Sequence, residues 1–155
     1  MKKSYVIAAG AVLFVGGIYF LSHSVKDDRT AREVALTCTT DMATEYHIHP
    51  VLTIIANGET VPIPADIGIT RGCMMSLHTH TPDGIIHVES PVARDFTLGD
   101  FFAVWDKPFS KDQVLDYVAD DTHRITMTVN GEVVDTYENT LLRDKDQIVI
   151  TYAPI

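Results

Sequence analysis

The sequence predicts an α+β fold, a mostly antiparallel sheet of hairpins with one main helix packed on it in a β-grasp-like arrangement. Three observations carry that expectation. Asn57-Gly58 and Asn130-Gly131 each follow a run rich in Val, Ile and Thr, and Asn-Gly between such runs is the strongest two-residue hairpin signal. Thr81-Pro82-Asp83-Gly84 supplies a third turn between two further β-like segments. One stretch, beginning at Phe96, changes from the strand period to the helical one.

The chain has 155 residues, and its first part differs from the rest. Lys2 and Lys3 precede Tyr5 to Leu21, a run of 17 uncharged, mostly apolar residues. That length is the lower limit for a spanning helix and long for the core of a signal peptide. Residues 1–24 therefore read as an uncleaved membrane anchor in preference to a cleaved signal. Either reading places the remainder outside the cytoplasm, because the basic end stays inside. Residues 25–45 are polar without a sustained period and read as a tether, leaving 46–155 as the extracytoplasmic α+β domain.

From His47 to Ala56 the chain is strand-like and turns at Asn57-Gly58 into a return strand, Glu59 to Ile63. Pro62 and Pro64 put that return strand at an edge or make it leave the sheet early. Cys73 to His80 and Ile85 to Ser90 form the second hairpin. Thr97 is the expected N-cap of the helix, with Asp100 three residues on completing a capping box. Leu98, Phe101, Phe102 and Trp105 make its apolar face, and Pro108 bounds it. Ser110 and Gln113 are expected to open a second short helix carrying Val114, Leu115 and Val118. A third hairpin spans Asn130-Gly131, and a last strand runs from Gln147 to Tyr152. Thr53–Val61 and Thr126–Val134 share the pattern T-x-x-x-N-G-E-x-V, which two hairpins obeying one turn chemistry explain as well as a duplication would.

Net charge is −9. Lys2, Lys3, Lys26 and Arg29 against Asp27 and Asp28 leave the first 29 residues at +2, so the rest carries −11. Such a domain repels phosphate backbones, and no basic stripe interrupts it, which argues against nucleic acid as a partner.

The chemistry concentrates in histidine. Five of the seven lie within 41 residues: His47, His49, His78, His80 and His87. They form two H-x-H pairs and one H-x-E with Glu89. Residues two apart on a strand share a face, so each H-x-H aims two imidazoles the same way. If the loop of the second hairpin holds the four residues 81–84, His78 opposes His87 and His80 opposes Ile85. One face then carries His78, His80, His87 and Glu89, and the other Met75, Leu77, Ile86 and Val88. A three-residue loop would mix the two, and segregation of polar from apolar is what specifies register. A single strand histidine is most often a hydrogen-bonded surface or core residue. Three on one hairpin face beside a second H-x-H point instead to a metal, and imidazole suits copper, zinc, nickel and iron.

Cys38 and Cys73 lie in the exported portion, where two cysteines default to a disulfide. The alternative makes Cys73 a soft ligand beside the histidines, with Met74 and Met75 tilting the site towards copper. Other motif classes fail on the residues present. A cupin needs a Glu four or five positions after H-x-H, where Gly84 and Ile85 stand, and no H-E-x-x-H exists.

The ordered strings Tyr46–His49 (YHIH), 63–69 (IPADIGI), 77–80 (LHTH), 84–91 (GIIHVESP) and 96–105 (FTLGDFFAVW) resemble a family of small exported or membrane-anchored prokaryotic proteins. The resemblance spans about residues 38–152 and implies that both H-x-H pairs and the H-x-E form one signature. It carries no established activity. In that family an acidic residue often follows L-H-T-H directly, where this chain has Thr81.

The expected function is that of a membrane-anchored, extracytoplasmic metal-binding protein, for copper ahead of zinc, with His47, His49, His78, His80, His87 and Glu89 as the site. Its expected role is to handle or store the metal, or to serve another envelope protein. Two rivals are a metal-dependent envelope enzyme with Glu89 or Asp83 as base, and a β-sheet interaction module whose histidines are structural or sense pH.

Overall fold

A computed structural model describes residues 27–40 and 45–155. The apolar run Tyr5–Leu21 and the expected anchor lie outside the described residues. Among the described residues no helix is long and apolar enough to cross a membrane.

In chain order, helix α1 (Ala31–Ala35) and strand β1 (Cys38–Thr39) precede β2 (Tyr46–Ile48), β3 (Val51–Ala56), β4 (Glu59–Val61), β5 (Ile69–Thr70), β6 (Cys73–Met75), β7 (Leu77–His78) and β8 (His87–Ser90). Helix α2 (Leu98–Val104) is followed by β9 (Phe109–Ser110), β10 (Gln113–Val114), β11 (Tyr117–Val118), β12 (His123–Val129), β13 (Glu132–Val134), a 3-10 turn (Tyr137–Asn139) and β14 (Gln147–Pro154). The strands form four sheets, ordered β1-β6-β5, β2-β8-β7, β11-β10-β9 and β13-β12-β14-β3-β4.

This overturns the expected α+β class and the β-grasp-like arrangement. Among the described residues strand takes 42% against 12% for helix, so the fold is β-rich. The longest helix among the described residues, α2, has seven residues, about two turns, too short to cover a sheet. The three expected hairpins also divide between two sheets instead of joining one: both Asn-Gly hairpins lie in the five-stranded sheet and β7-β8 in a three-stranded one. The largest sheet is mixed, since β14 runs parallel to β3 from Gln147↔Val51 to Tyr152↔Ala56.

The second expected helix is absent, and its residues form the meander β9-β10-β11. Leu115 has φ +53°, which a right-handed helix cannot accommodate. Val114 and Leu115 are buried while Val118 is 53% exposed, so the three do not share one covered face. The apolar spacing alone did not distinguish a helix from two tight turns.

Both Asn-Gly hairpins form as expected. Asn57 and Gly58 have φ +53° and +85°, as do Asn130 and Gly131, which is the left-handed pair a type I′ turn requires. The two hairpins stand at opposite edges of the five-stranded sheet, with β14 between them. Helix α2 starts where expected. The Thr97 hydroxyl accepts from Asp100 N, and the Asp100 carboxylate accepts from Thr97 N at 2.8 Å.

Residues 30–39, expected within the polar tether, carry α1 and β1. Thr30 and Glu33 close a full capping box on α1, and Val34 and Ala35 are buried. Arg32 Nε donates to the buried Asp100 carboxylate at 2.7 Å, which ties α1 to α2. β1 pairs with β6, Cys38 opposite Met75, and Cys38 and Cys73 form a disulfide.

Alternate residues of β3, β12 and β14 point inward: Leu52 and Ile54, Ile125 and Met127, Ile148 and Ile150. They meet Phe96, Leu98, Phe101 and Phe102 in one core that also takes Ile48, Leu77, Ile86 and Val88 from the neighbouring sheet. Each such side chain contributes roughly 1.5–3 kcal/mol by leaving water.

Candidate metal centre

The site is the outer face of the three-stranded sheet β2-β8-β7. Its register follows from polarity. Leu77 and Ile48 flank Val88 on the two sides of β8, and all three are buried. One residue along each strand, the pleat turns the other way. His47 therefore lies opposite Glu89 and His78 opposite His87, all on the outer face. The expected pairing of His78 with His87 is present, and the backbone N–H of Glu89 donates to Ser76 O at 2.8 Å in the same register. The expected opposition of His80 to Ile85 is not formed, because Ile85 bridges to Val51 instead.

That bridge joins the two H-x-H segments. Leu52 N donates to Gly84 O and Ile86 N to Pro50 O, each at 2.9 Å. Gly84 has φ +80°, and a Cβ there would collide with Leu52 O, so glycine permits the approach. Pro50 ends β2 and lets the chain cross into the central sheet as β3. His49 sits at this crossing, and Asp144 fixes it by accepting from His49 N at 3.0 Å. Asp144 Oδ1 also lies 3.9 Å from His49 Nδ1.

The imidazoles converge. Ring centroids are 4.3 Å apart for His47 and His49, 4.8 Å for His49 and His87, 5.4 Å for His78 and His87, and 4.6 Å for His80 and His87. Among the described residues two triads could hold a metal ion, His47–His49–His87 and His78–His80–His87, with donor atoms within 4.8 Å of one another in each. Of the six residues expected from sequence, the sheet places His47, His78, His87 and Glu89 on one face, and His49 and His80, just beyond their strands, bring their rings against His87. Glu89 Oε1 stands 3.0 Å from His47 Nε2 and 4.0 Å from His78 Nε2.

His78 is fully buried and oriented from below. Its Nδ1 lies 3.0 Å from Met75 O, which can only accept, so Nδ1 carries the proton and Nε2 keeps its lone pair. Burial lowers the His78 pKa, which holds the ring neutral. Gly68, with φ +72°, lets its loop close over His78, whose Cβ is 3.3 Å from where a Gly68 Cβ would stand. His78 Nε2 lies 3.2 Å from His80 Nε2. Two nitrogens each about 2.0–2.1 Å from one tetrahedral ion are separated by roughly 3.3 Å, so this spacing suits a shared metal.

His87 is the junction of the cluster. Its Nδ1 is buried and has no hydrogen-bond partner among the described residues. Burial first, then the charges of His80, His78, His49 and His47, pushes its pKa down to about 4. A ring pushed towards neutrality with an unpartnered nitrogen has a lone pair or N–H left for a ligand.

The cysteines take no part as thiolates. They are disulfide-bonded, and the bond holds β6, and with it the approach to β7, against β1. Asp144 was not foreseen as part of the site. It lies 95 positions from His49 in sequence, and no local signal links them. Comparison with protein-family models, curated proteins and solved structures finds no match.

Proposed function

We propose that this chain is a membrane-anchored, extracytoplasmic protein that binds copper or zinc through its histidine face, copper ahead of zinc. The observation that carries the reading is the convergence of His47, His49, His78, His80 and His87 on one face of β2-β8-β7. Imidazoles with adjacent carboxylates suit divalent copper and zinc, and at a given nitrogen site copper binds the more tightly. The methionines that favoured copper at the sequence level give it no further support here, since Met75 contributes its backbone carbonyl. The Lys2–Lys3 start and the apolar run Tyr5–Leu21 support the anchor and its orientation. The disulfide accords with an oxidising compartment. The acidic domain disfavours nucleic acid, and a second envelope protein that delivers or receives the metal fits an anchored carrier. The test is elemental analysis of the untagged full chain, purified in detergent and loaded with copper or zinc. Bound metal that His78→Ala/His87→Ala removes supports the reading, and no metal above background overturns it.

A further inference from the structure

We propose that the histidine face is a two-ion centre in which His87 is the shared ligand. The inference rests on the metal-binding reading above and concerns how many ions the face holds and how they are joined.

Five imidazoles exceed what one tetrahedral ion accepts, which is four ligands. They also do not gather around one point. The two groups with metal-compatible spacing, His47–His49–His87 and His78–His80–His87, have only His87 in common. The sheet explains the division. β8 is the central strand, with β2 on one side and β7 on the other. His87 therefore has one H-x-H pair on each flank, with ring centroids 4.8 Å away at His49 and 4.6 Å away at His80.

Imidazole is suited to the shared position because it has two nitrogens, each with an in-plane lone pair once the ring proton is gone. The Nδ1 of His87 is buried and unpartnered, so one of the two is held open by the fold. Binding on both nitrogens displaces the ring proton, which passes to solvent, and the ring becomes an anion between two cations. That anion offsets part of the repulsion between neighbouring divalent ions. The carboxylates are placed to do the same. Glu89 Oε1 contacts one imidazole of each triad, 3.0 Å from His47 and 4.0 Å from His78, and Asp144 stands beside His49. Three histidines on each side leave each ion a further position for water or a carboxylate.

The test titrates the metal-free full chain in detergent with copper(II), reading stoichiometry by native mass spectrometry and copper coupling by electron paramagnetic resonance. Two ions per chain are expected. The resonance of the two-copper form should fall well below that of the same amount of copper in separate sites, because an imidazolate couples the two spins. His47→Gln/His49→Gln and His78→Gln/His80→Gln should each retain one ion with an uncoupled spectrum, and circular dichroism checks that they fold. A single ion at saturation in the unaltered chain overturns the inference while leaving metal binding intact. Two ions with full, uncoupled signal overturn the sharing of His87. No bound ion overturns the metal-binding reading and this inference with it.

Discussion

His78 and His87 face each other across β7 and β8 with their rings stacked, 5.4 Å between centroids and 12° between planes. One of the pair is satisfied and the other is not. His78 Nδ1 donates to Met75 O, whereas His87 Nδ1 is buried without a partner. Structural histidines in a β-sheet normally resolve both nitrogens, because an unmet buried donor or acceptor costs about 1–3 kcal/mol. The asymmetry leaves His78 with one nitrogen fixed by the backbone and His87 with a buried nitrogen that no described residue satisfies.

His87→Leu tests that distinction. Leucine removes the unsatisfied nitrogen at similar volume, so the metal-free protein should be unchanged or stabilised by up to about 1 kcal/mol. The unaltered protein should gain about 2.7 kcal/mol with metal at a hundred times its Kd. His87→Leu should lose that gain. Thermal unfolding with chelator and with copper measures both, and a strongly destabilised metal-free variant would show that the ring is structural.

The pH dependence follows from the same burial. His87 has a folded pKa of about 4 against 6.5 in the unfolded chain, and His78 is lowered in the same direction. Between those values the unfolded state binds more protons, so unfolding free energy rises with pH across that window. The contribution is complete above about 6.5 and is lost as the pH falls towards 4. The groups acting on His87 are His80, His78, His49 and His47, and Asp83 feels the charge of His87 in turn. Urea midpoints in chelator should be higher at pH 7.5 than at pH 5, and His87→Leu should flatten the difference.

The candidate site was more legible than the fold because its register is written in polarity. Leu77, Val88 and Ile48 on one parity and His78, His87, Glu89 and His47 on the other leave a single pleat assignment for three strands. The join between the two H-x-H segments was less so. It depends on Val51 meeting Ile85 and on Asp144 reaching His49, contacts made by chain segments with no shared local pattern. The β10 region was misread because Val114, Leu115 and Val118 fit a helical stripe as readily as two short strands. Leu115 in the left-handed region decides for the strands, and leucine carries no signal for that conformation. The Thr30–Glu33 capping box was present in the sequence, and the surrounding charge masked it.

Gly84→Ala should damage the site from a distance. Its φ of +80° and the approach of Leu52 O leave no room for a methyl group. A left-handed alanine costs about 1–2 kcal/mol, and the overpacking adds roughly 1–3 kcal/mol. Relief requires the Gly84–Ile86 segment to withdraw from Pro50–Leu52, which separates His87 from His49. Lower stability together with weaker metal binding is expected, read by urea unfolding and chelator competition. A stable variant with unaltered affinity would show that the join does not position the cluster.

Cys38→Ser/Cys73→Ser should have the opposite profile. The disulfide closes a sequence separation of 35, which by chain entropy stabilises by about 4 kcal/mol. Neither sulfur is free to ligate, so at a temperature where the variant stays folded its metal stoichiometry should equal that of the unaltered protein. Loss of an ion from a folded variant would show that the bond, or one of its sulfurs, belongs to the centre.

Glu89 is the remaining discriminator, because its backbone and side chain serve different ends. Its N–H donates to Ser76 O at 2.8 Å, holding β8 whatever the side chain. The carboxylate stands 3.0 Å from His47 Nε2, where it orients a ring that can then offer its other nitrogen. Glu89→Gln keeps an acceptor oxygen but loses the charge, and Glu89→Leu loses both. Partners of this kind typically govern affinity by about 10–100-fold, so glutamine should fall near the lower end and leucine near the upper. Both variants should keep the far-ultraviolet circular dichroism of the unaltered protein. Chelator competition gives the affinities, and a leucine variant that binds as tightly as the unaltered protein would remove the carboxylate from the site and leave an all-imidazole centre.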